Sequence, residues 1–290
     1  MDQKKDLAAA FEAQRRQLRS VAYRMLGTLS EADDAVQGAW LHLERSGTEG
    51  VENLPGWLTT VVARLCLDLL RARKARQEQP MDPYLPEPVV VAEEGSNPEQ
   101  DVIMADSISL ALLVVLETLA PAERLAFVLH DMFGVPFEEI AGMVGRTPSA
   151  ARQLASRGRR RVQGAAVVHD ADVDVARQRE VVNAFLAASR GGDLQALLAV
   201  LDPEVVLRAD RGREKEVRGA RTVAEQSLYF NRLVGGQLTV RPVLVNGTAG
   251  LITLMNGKPY AVMGFTIVGG KIVEIYIVTE SARLGGMDRR

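Results

Sequence analysis

The sequence predicts a multidomain protein in which two all-α helical domains precede an α+β domain that ends in an antiparallel sheet. Apolar residues recur at helical spacing in residues 7–76 and again in residues 107–162. A proline-rich acidic stretch separates these two helical parts. From residue 239 onward, apolar β-rich runs are separated by dipeptides that supply the positive φ angles of tight hairpins, namely Asn246-Gly247, Asn256-Gly257 and Gly269-Gly270.

The composition excludes several classes of protein. The 290 residues have a formal net charge of −2, and 25% of them are charged, which is ordinary for a globular chain. The single cysteine, Cys66, excludes an internal disulfide and is typical of a reducing cytosol. The longest apolar stretch, residues 108–116, is far shorter than the roughly 20 residues that span a bilayer. The N-terminus alternates charged and apolar residues, so we expect no secretory signal and a cytoplasmic protein.

The near-neutral total charge is an average over segments of opposite sign. Residues 57–77 contain five basic side chains and one acidic side chain, a net charge of +4, and residues 137–163 also have a net charge of +4. Between them, residues 78–106 contain eight acids and no lysine or arginine. Segregated basic segments are compatible with nucleic-acid contact, although the total charge alone argues against it.

The first helical domain is expected over residues 5–77, with three helices. Helically spaced apolar residues predict the first helix over residues 7–26, and the glycine that follows ends it. Ser30 is a candidate N-cap for the second helix. Pro55 is expected to begin the third helix, whose inward stripe occupies residues 57–69.

Residues 78–106 are expected to form a linker that docks on another part of the protein. The segment contains five prolines, which remove backbone donors and disfavour helix in the preceding residue. Met81, Tyr84, Leu85 and the valines at 89–91 make it too apolar for a solvated tether. We therefore expect an ordered linker.

The second helical domain is expected over residues 107–165 and ends in a helix-turn-helix. Helices are predicted at 107–119, 121–132, 137–144 and 149–162, with a tight turn at Gly145 and Thr147 and Pro148 as N-cap and first residue of the last helix. Arginine and glutamine form bidentate hydrogen bonds to base edges in the major groove, so the outward face of this helix predicts DNA binding. That face comprises Ser149, Arg152, Gln153, Ser156 and Arg157. The alternative is a helical hairpin with a solvated basic face.

The third domain is expected over residues 176–285, with helices at 176–186 and 194–201 followed by an antiparallel meander. Catalysis in such a domain needs a carboxylate or histidine base in an apolar pocket. The candidates Asp210, Glu225 and Tyr229 form no recognisable constellation, and all three histidines lie outside the domain. One cysteine and scattered histidines provide no metal-ligand spacing, so we expect neither a metal nor a cofactor.

Three segments of the helical part match one bacterial family in order and in spacing: LRSVAYRMLGTLSEADDAVQGAWLHLE, PGWLTTVVARLCLDLLRARKAR and LETLAPAERLAFVLHDMFGVPFEEIAGMVGRTPSAARQLASRGRRRV. Over about residues 7–163 the chain resembles sigma-70-family factors of the extracytoplasmic-function type, which keep only the second and fourth conserved regions of larger sigma factors. The resemblance implies that the first domain (region 2) binds core RNA polymerase and melts the minus-ten promoter element. It implies that the second domain (region 4) recognises the minus-thirty-five element.

The resemblance also implies roles for individual residues. Polymerase binding falls to Asp34 and Gln37, with Leu41 as apolar support, and Gly38 stands where a glutamate is usual. The loop at residues 53–56 corresponds to the one that captures a flipped base in the family. The minus-ten contacts are expected from Asn53, Trp57, Arg64, Arg71 and Arg73, and the minus-thirty-five contacts from Thr147, Ser149, Arg152, Gln153, Ser156 and Arg157.

The linker and the third domain resemble one subgroup of these factors, which has a fused C-terminal SnoaL-like domain, a curved sheet forming a cone. The subgroup's linker motif corresponds to Tyr84, Leu85, Pro86, Glu87 and Pro88, with Tyr84 in place of the usual tryptophan. Two weaker matches lie at residues 209–213 and 280–284. The resemblance implies a cis-acting regulator that replaces a separate anti-sigma factor.

The expected partners are therefore core RNA polymerase and promoter DNA, with no membrane. A small-molecule ligand of the third domain remains open. Two rival functions also remain open at this point. One is a small-molecule-binding enzyme with an appended DNA-binding module, and the other is a one-component regulator that binds operators without polymerase.

Overall fold

The computed structural model describes residues 2–48, 51–76, 85–92, 108–165, 174–210, 216–234 and 236–279. The chain divides into two compact units. The first combines Met1–Met81 with Val115–Gly164, and the second combines Asp82–Val114 with Ala165–Arg290. The first helical domain and most of the second therefore lie together in the first unit, and residues 85–92, the described part of the linker, belong to the second.

The N-terminal part of the first unit contains α1 (Asp2–Leu26), α2 (Leu29–Ser46) and α3 (Leu54–Arg76). The expectation that Ser30 caps α2 is wrong. The side chain of Thr28 accepts a hydrogen bond from the Glu31 backbone N–H, and its hydroxyl donates to the Glu31 carboxylate at 2.5 Å. Thr28 is therefore the N-cap, and α2 begins at Leu29, one residue before Ser30. The inward stripes of the three helices form a common core, which includes Phe11, Leu18, Met25, Val36, Leu43, Leu58 and Val62.

The remaining helices of the first unit end in the expected helix-turn-helix, which the last two of them form. They are α4 (Leu110–Glu117, which enters this unit at Val115), α5 (Pro121–Phe127) with a π-helical turn (Val128–Met132), α6 (Phe137–Val144) and α7 (Pro148–Gly164). Gly145 ends α6 in the left-handed conformation that the tight turn requires. A Cβ at Gly158 would lie 2.9 Å from the Cβ of Phe127, so only glycine lets α7 pack this closely on α5.

The second unit is an α+β domain with more elements than the sequence predicted. Helices α8 (Val175–Gly191) and α9 (Leu194–Val200) agree with expectation. Strands β2 (Leu201–Ala209) and β3 (Glu216–Arg218) and helix α10 (Ala220–Val234) were not predicted. The meander follows as β4 (Leu238–Val245), β5 (Thr248–Met255), β6 (Lys258–Val268) and β7 (Lys271–Val278).

A linker segment, β1 (Val90–Ala92), joins these strands in a curved sheet of the order β1-β4-β5-β6-β7-β2-β3 within the described residues. The meander β4–β7 is antiparallel as expected, but β2 pairs with β7 in parallel, so the sheet as a whole is mixed. Register shifts in the pairs β5–β6, β6–β7 and β2–β7 bend the sheet, since bulges increase local twist. All three predicted hairpin dipeptides adopt positive φ. In the part of the chain that the structure describes, no helix is long and apolar enough to cross a membrane.

Candidate functional site

Helix α7 presents the expected recognition face to solvent. The Thr147 hydroxyl accepts a hydrogen bond from the Ala150 backbone N–H, which confirms Thr147 as the N-cap. Ser149, Arg152 and Gln153 are exposed, whereas Ala151, Leu154 and Ala155 are buried. The polar and apolar sides of the helix are thus separated as a major-groove helix requires.

Arg152 is held against an aromatic stack at the start of α6. Its guanidinium carbon lies 5.3 Å from the centroid of the Phe137 ring, within the range of a cation–π interaction. The Phe137 ring stacks in turn on His130, with the ring centroids 3.8 Å apart. The His130 Nδ1 atom lies 3.1 Å from the Val135 carbonyl oxygen. Because a carbonyl oxygen can only accept, Nδ1 carries the proton of this hydrogen bond. The stack restricts the position of an arginine that is otherwise exposed.

The basic end of α7 is paired with acids of the same unit. Arg157 forms an ion pair with Glu123 at 3.1 Å, and Arg159 forms one with Asp131 at 2.6 Å. Arg161 donates to the Thr118 carbonyl oxygen at 2.9 Å. Ser156 is half-buried. Arg157 would therefore have to exchange a protein carboxylate for a phosphate or a base on binding DNA, whereas Arg152 and Gln153 already face solvent.

The three expected polymerase contacts share one face of α2. Asp34, Gln37 and Leu41 lie at i, i+3 and i+7, and all three are exposed. The Leu41 side chain is 41% exposed, which is unusual for a leucine beside a well-packed core. The three side chains are therefore accessible together on one face of α2.

The expected base-capturing loop is partly used to begin α3. The Asn53 side-chain oxygen accepts a hydrogen bond from the Gly56 backbone N–H at 3.1 Å, so Asn53 acts as the N-cap and α3 begins one residue before Pro55. Trp57 is half-buried and its ring stacks on His42, with the centroids 5.6 Å apart. Asn53 remains exposed at the head of the helix.

The three arginines expected at the minus-ten element have different surroundings. Arg64 is exposed, and its Nη2 donates to the Gly142 carbonyl oxygen of α6 at 3.3 Å. Arg71 is exposed beside Asp68, with 3.5 Å between the charged groups. Arg73 points inward, where it forms an ion pair with Glu31 and donates to the Leu26 carbonyl oxygen at 3.2 Å. Arg64 and Arg71 are thus accessible, whereas Arg73 is half-buried and holds α3 to the end of α1.

The linker motif lies partly within the described residues. Tyr84 is outside them, whereas Leu85, Pro86 and Pro88 are buried and Glu87 is half-buried. Strand β1 follows directly and pairs with β4 through Val90–Val245, Val91–Leu244 and Ala92–Val243. The weaker motif at residues 280–284 lies outside the described residues, as do residues 211–213 of the motif at 209–213.

Asn246, in the β4–β5 hairpin, anchors the linker by polar contacts that the sequence did not reveal. Its side-chain oxygen accepts from the Val89 backbone N–H at 2.9 Å, and its side-chain nitrogen donates to the Ile108 carbonyl oxygen at 3.0 Å. The residue is 3% exposed, so both bonds are shielded from water. The dipeptide Asn-Gly signalled a hairpin, but the same asparagine also binds Val89 within the linker and Ile108, which lies just after the linker.

The candidate catalytic groups of the third domain are either hydrogen-bonded to other residues or exposed to solvent. The Asp210 carboxylate accepts from the Thr279 backbone N–H at 2.9 Å and from its hydroxyl at 2.7 Å. Glu225 is exposed and faces Arg221 at 3.7 Å. Tyr229 is 66% exposed at the edge of a pocket. Among the described residues no group of histidine, cysteine and carboxylate side chains could hold a metal ion.

Arg124 and Cys66 lie at the contact between the two helical parts of the first unit. Arg124 is 1% exposed, and its Nε donates to the Arg24 carbonyl oxygen at 3.0 Å while its Nη1 lies 2.8 Å from the Glu117 carboxylate. Burial raises the pKa of the Cys66 thiol to about 12, with Arg124 opposing the shift. The buried arginine was not apparent from the sequence, because charged residues are normally placed on the surface.

Comparison with known proteins agrees with this geometry. Residues 10–76 match Sigma-70 region 2 and residues 109–162 match Sigma-70, region 4. The chain is 35% identical over 284 residues to a probable ECF RNA polymerase sigma factor SigI of Mycobacterium tuberculosis, covering 98% of this chain and 97% of the relative. It is 39% identical over 279 residues to the ECF RNA polymerase sigma factor SigJ of that species, covering 92% and 86%.

The crystal structure of the Mycobacterium tuberculosis extracytoplasmic function sigma factor SigJ has the same fold over nearly the whole chain. The TM-score is 0.76 at 35% identity, covering 96% of this chain and 98% of that structure. The agreement extends through both helical regions and the curved-sheet domain. The chain therefore belongs to the extracytoplasmic-function sigma factors of the sigma-70 family, in the subgroup with a fused C-terminal SnoaL-like domain, and it directs core RNA polymerase to promoters.

Proposed function

We propose that this sigma factor is held in a closed state by contacts between its two promoter-binding regions, and that the linker and the SnoaL-like domain regulate its opening in cis. The single observation that most supports the proposal is the bond from Arg64 to Gly142, which joins a predicted minus-ten helix to the helix-turn-helix. In the closed state the two regions bind each other instead of two separated promoter elements.

The buried contacts between the two regions support a closed state that is stable without DNA. Arg124 on α5 donates to the backbone of α1, and its ion pair with Glu117 is removed from water. Separation would expose this arginine to solvent and break its bond to the Arg24 carbonyl oxygen of region 2, whereas its ion pair with Glu117 lies within region 4 and would be kept. Opening is then a shift between two populations, and polymerase and promoter drive it only if they bind the open form more tightly.

The linker gives the third domain a physical means of control. The chain that connects regions 2 and 4 is hydrogen-bonded to β4 through β1 and is clamped by Asn246 at Val89 and Ile108. Each such buried bond contributes about 0.5–1.5 kcal/mol. While the linker remains on the sheet, less chain is available for regions 2 and 4 to reach two elements on the same promoter.

The DNA contacts are assigned by exposure. In the closed state Arg152, Gln153 and Ser149 are free of steric cover and would contact bases in the minus-thirty-five element, with Arg157 joining after release from Glu123. Thr147 would contact the backbone from the helix N-terminus. Asn53, Trp57, Arg64 and Arg71 would act at the minus-ten element once α3 is uncovered, and Arg73 would join them after release from Glu31 and the Leu26 carbonyl oxygen. Asp34, Gln37 and Leu41 would bind core polymerase.

In this proposal the third domain is a regulator without catalytic activity. The protein acts in the cytoplasm with core polymerase, and it needs neither a separate anti-sigma factor nor a cofactor. The engagement of Asp210 with Thr279 supports this view, because the carboxylate oxygens already accept structural hydrogen bonds from a backbone N–H and a hydroxyl.

Two experiments test the proposal. The full chain and core polymerase should co-migrate in gel filtration and together produce run-off transcripts from a promoter library, and failure of both would exclude the assignment. Arg152→Ala should then lower transcription from a matched promoter about 5- to 150-fold, the effect of one bidentate base contact, while leaving polymerase binding unchanged. A parallel loss of polymerase binding would contradict the placement of Arg152 on the DNA.

Deletion of residues 176–290 tests regulation in cis. This deletion also removes the strand with which β1 pairs, so it releases the linker. Transcription per bound polymerase should change when the domain is removed. Equal output from the full and the shortened chain, at equal polymerase occupancy, would reject a regulatory role for the domain.

A further inference from the structure

The second unit contains a large apolar pocket that the promoter-directing function does not use. Its volume is about 750 Å³, within the range of about 300–1,000 Å³ that is typical of small-molecule sites. Helices α8 and α10 form one wall, and strands β2, β4, β5, β6 and β7 form the other. The deepest lining side chains are apolar, including Phe185, Leu207, Leu251 and Ala261.

Aromatic side chains stand exposed at the edge of this pocket. Tyr229 is 66% and Phe230 is 44% exposed, and the Phe230 ring stacks on Tyr260 with 6.5 Å between the centroids. Exposed aromatic groups beside an apolar cavity are unfavourable unless something covers them. A ligand that fills the cavity and extends between these rings would bury them.

The polar groups in the lining are mostly engaged with the protein. Thr253 donates its hydroxyl hydrogen to the Ala261 carbonyl oxygen, Asn231 donates to the Ser189 carbonyl oxygen, and Thr279 bonds Asp210. Among the described lining residues there is no carboxylate and no histidine. The pocket therefore offers neither a negative charge for a cationic ligand nor a general base for catalysis.

The single full charge among those described lining residues is positive. Arg190, in the last turn of α8, lines the pocket, and no carboxylate of the described residues forms an ion pair with it. A guanidinium that is planar and always protonated is well suited to a carboxylate or sulfonate. An apolar cavity with one cation at its edge is complementary to a molecule with an apolar body and one acidic group.

From this combination we propose that the pocket binds an amphipathic organic anion, with the apolar body between the helices and the sheet and the acidic group at Arg190. The inference is independent of how transcription is regulated, because it concerns binding alone. The test therefore uses binding to the full chain as its readout, and its failure would leave the proposed function untouched.

Two dyes of nearly the same shape separate the apolar and the charged parts of the site. 8-Anilinonaphthalene-1-sulfonate has a sulfonate, and N-phenyl-1-naphthylamine is its uncharged counterpart. Both should bind the native full chain saturably, at one molecule per chain. Arg190→Gln should weaken sulfonate binding about fivefold, as expected for a partly exposed ion pair, and leave the neutral dye unchanged.

Matched variants locate the site. Arg177→Gln changes an exposed arginine of the same helix about 20 Å away and should alter neither dye. Ala261→Phe and Ser227→Phe introduce a ring at the pocket lining and should weaken both dyes at least tenfold, judged on whichever variant keeps the wild-type near-UV spectrum. Arg190→Gln alters a surface residue and keeps the test decisive even if both of these fail to fold.

Competition defines the chemical class. Below their micellar concentrations, dodecanoate should displace the sulfonate dye, whereas dodecyltrimethylammonium, which has the same alkyl chain and the opposite charge, should not. Equal displacement by both would overturn the assignment to anions. Sulfonate binding that is unchanged in Arg190→Gln would overturn the placement of the acidic group at Arg190, and dye binding that is unchanged in a folded pocket variant would overturn the site itself.

Discussion

The Arg64 guanidinium donates a hydrogen bond to the carbonyl oxygen of Gly142, with 3.3 Å between Nη2 and the oxygen. Arg64 belongs to the helix predicted to act at the minus-ten element, and Gly142 belongs to the first helix of the helix-turn-helix. The bond spans 78 residues of sequence and joins two regions that a promoter would hold apart. Release of this contact is therefore part of promoter engagement in the proposed mechanism.

The first prediction is that the distance between α3 and α6 increases on engagement. Fluorescent labels on Glu52→Cys and Glu139→Cys, both exposed positions in the two regions, should show lower energy transfer when core polymerase and promoter are added. Labels on Gln17→Cys in α1 and Glu52→Cys in the loop before α3, both exposed positions of region 2, should show no change and serve as the control. Unchanged transfer in the first pair in an active complex would contradict opening.

A second prediction concerns the buried Arg124. Arg124→Met keeps the bulk but removes the contacts to Arg24 and Glu117, which leaves a partly buried carboxylate unpaired, so the free energy of unfolding of the first unit should fall by about 3 kcal/mol. Both tryptophans of the chain, Trp40 and Trp57, lie in this unit, so tryptophan fluorescence in urea reports its unfolding. The exposed Arg160→Met should change stability by no more than about 0.5 kcal/mol. Equal effects of the two variants would show that the buried contacts contribute nothing.

Phe137 is expected to assist promoter recognition without contacting DNA. Phe137→Leu removes the ring beneath Arg152, and loss of an exposed cation–π contact of about 0.5–1 kcal/mol should weaken minus-thirty-five binding about two- to fivefold. Phe133 provides a matched control, since its ring lies 5.3 Å from the Arg24 guanidinium, away from α7. The affinity of each variant complex for a labelled promoter should be measured with and without Arg152→Ala. If Phe137 acts through Arg152, its effect should disappear in the double variant.

The clamp at Asn246 leads to a prediction about the linker. Asn246→Gly keeps the positive φ of the turn and the backbone bond to the Val89 carbonyl oxygen but removes the side-chain bonds to Val89 and Ile108, so amide hydrogen exchange should accelerate in residues 85–92. Asn256→Gly makes the same change at an exposed turn with φ of 52° and should leave the linker unchanged. Similar exchange in both variants would show that the strand pairing of β1 alone holds the linker.

Cys66 should be chemically inert in the folded protein. Burial raises the pKa of its thiol to about 12, so at pH 8 the reactive thiolate is nearly absent and reagent access is blocked. Ellman's reagent should give no reaction in buffer and one equivalent in denaturant. Because burial raises the pKa of the folded thiol, raising the pH to 9 increases the thiolate fraction in the unfolded chain but hardly changes it in the folded protein. Rapid labelling of native protein at pH 8 would contradict this burial.

Local patterns in the sequence were sufficient for much of the fold. The span of α6 and the turn at Gly145 agree with prediction because apolar period, left-handed glycine and N-cap residues act within a few residues of each other. The same holds for the three hairpin turns. Strand β2 and helix α10 were not predicted, because their secondary structure depends on burial against β7 and α8 rather than on local preference.

The periodicity of the sequence predicted the exposure of some expected site residues but not the hydrogen-bond partners of others. The exposure of Arg152, Gln153 and Leu41 follows from the periodicity of their helices. The periodicity of α3 did not indicate that Arg73 pairs with Glu31 or that Arg64 bonds Gly142, since these partners are 42 and 78 residues away. Long-range polar contacts have no local signature, and an arginine is long enough to reach in several directions.

The sequence by itself determined the family, the order of the domains and the segregation of charge, because motifs, prolines and basic helices are properties of short segments. Only the tertiary structure decided that regions 2 and 4 form one compact unit and that the linker is a strand of the third domain's sheet. Those outcomes depend on which distant groups satisfy one another's hydrogen bonds, as Asn246 does for Val89 and Arg124 for the Arg24 carbonyl oxygen. Burial of a polar group without a partner costs free energy, and that requirement is met only once the whole chain has folded.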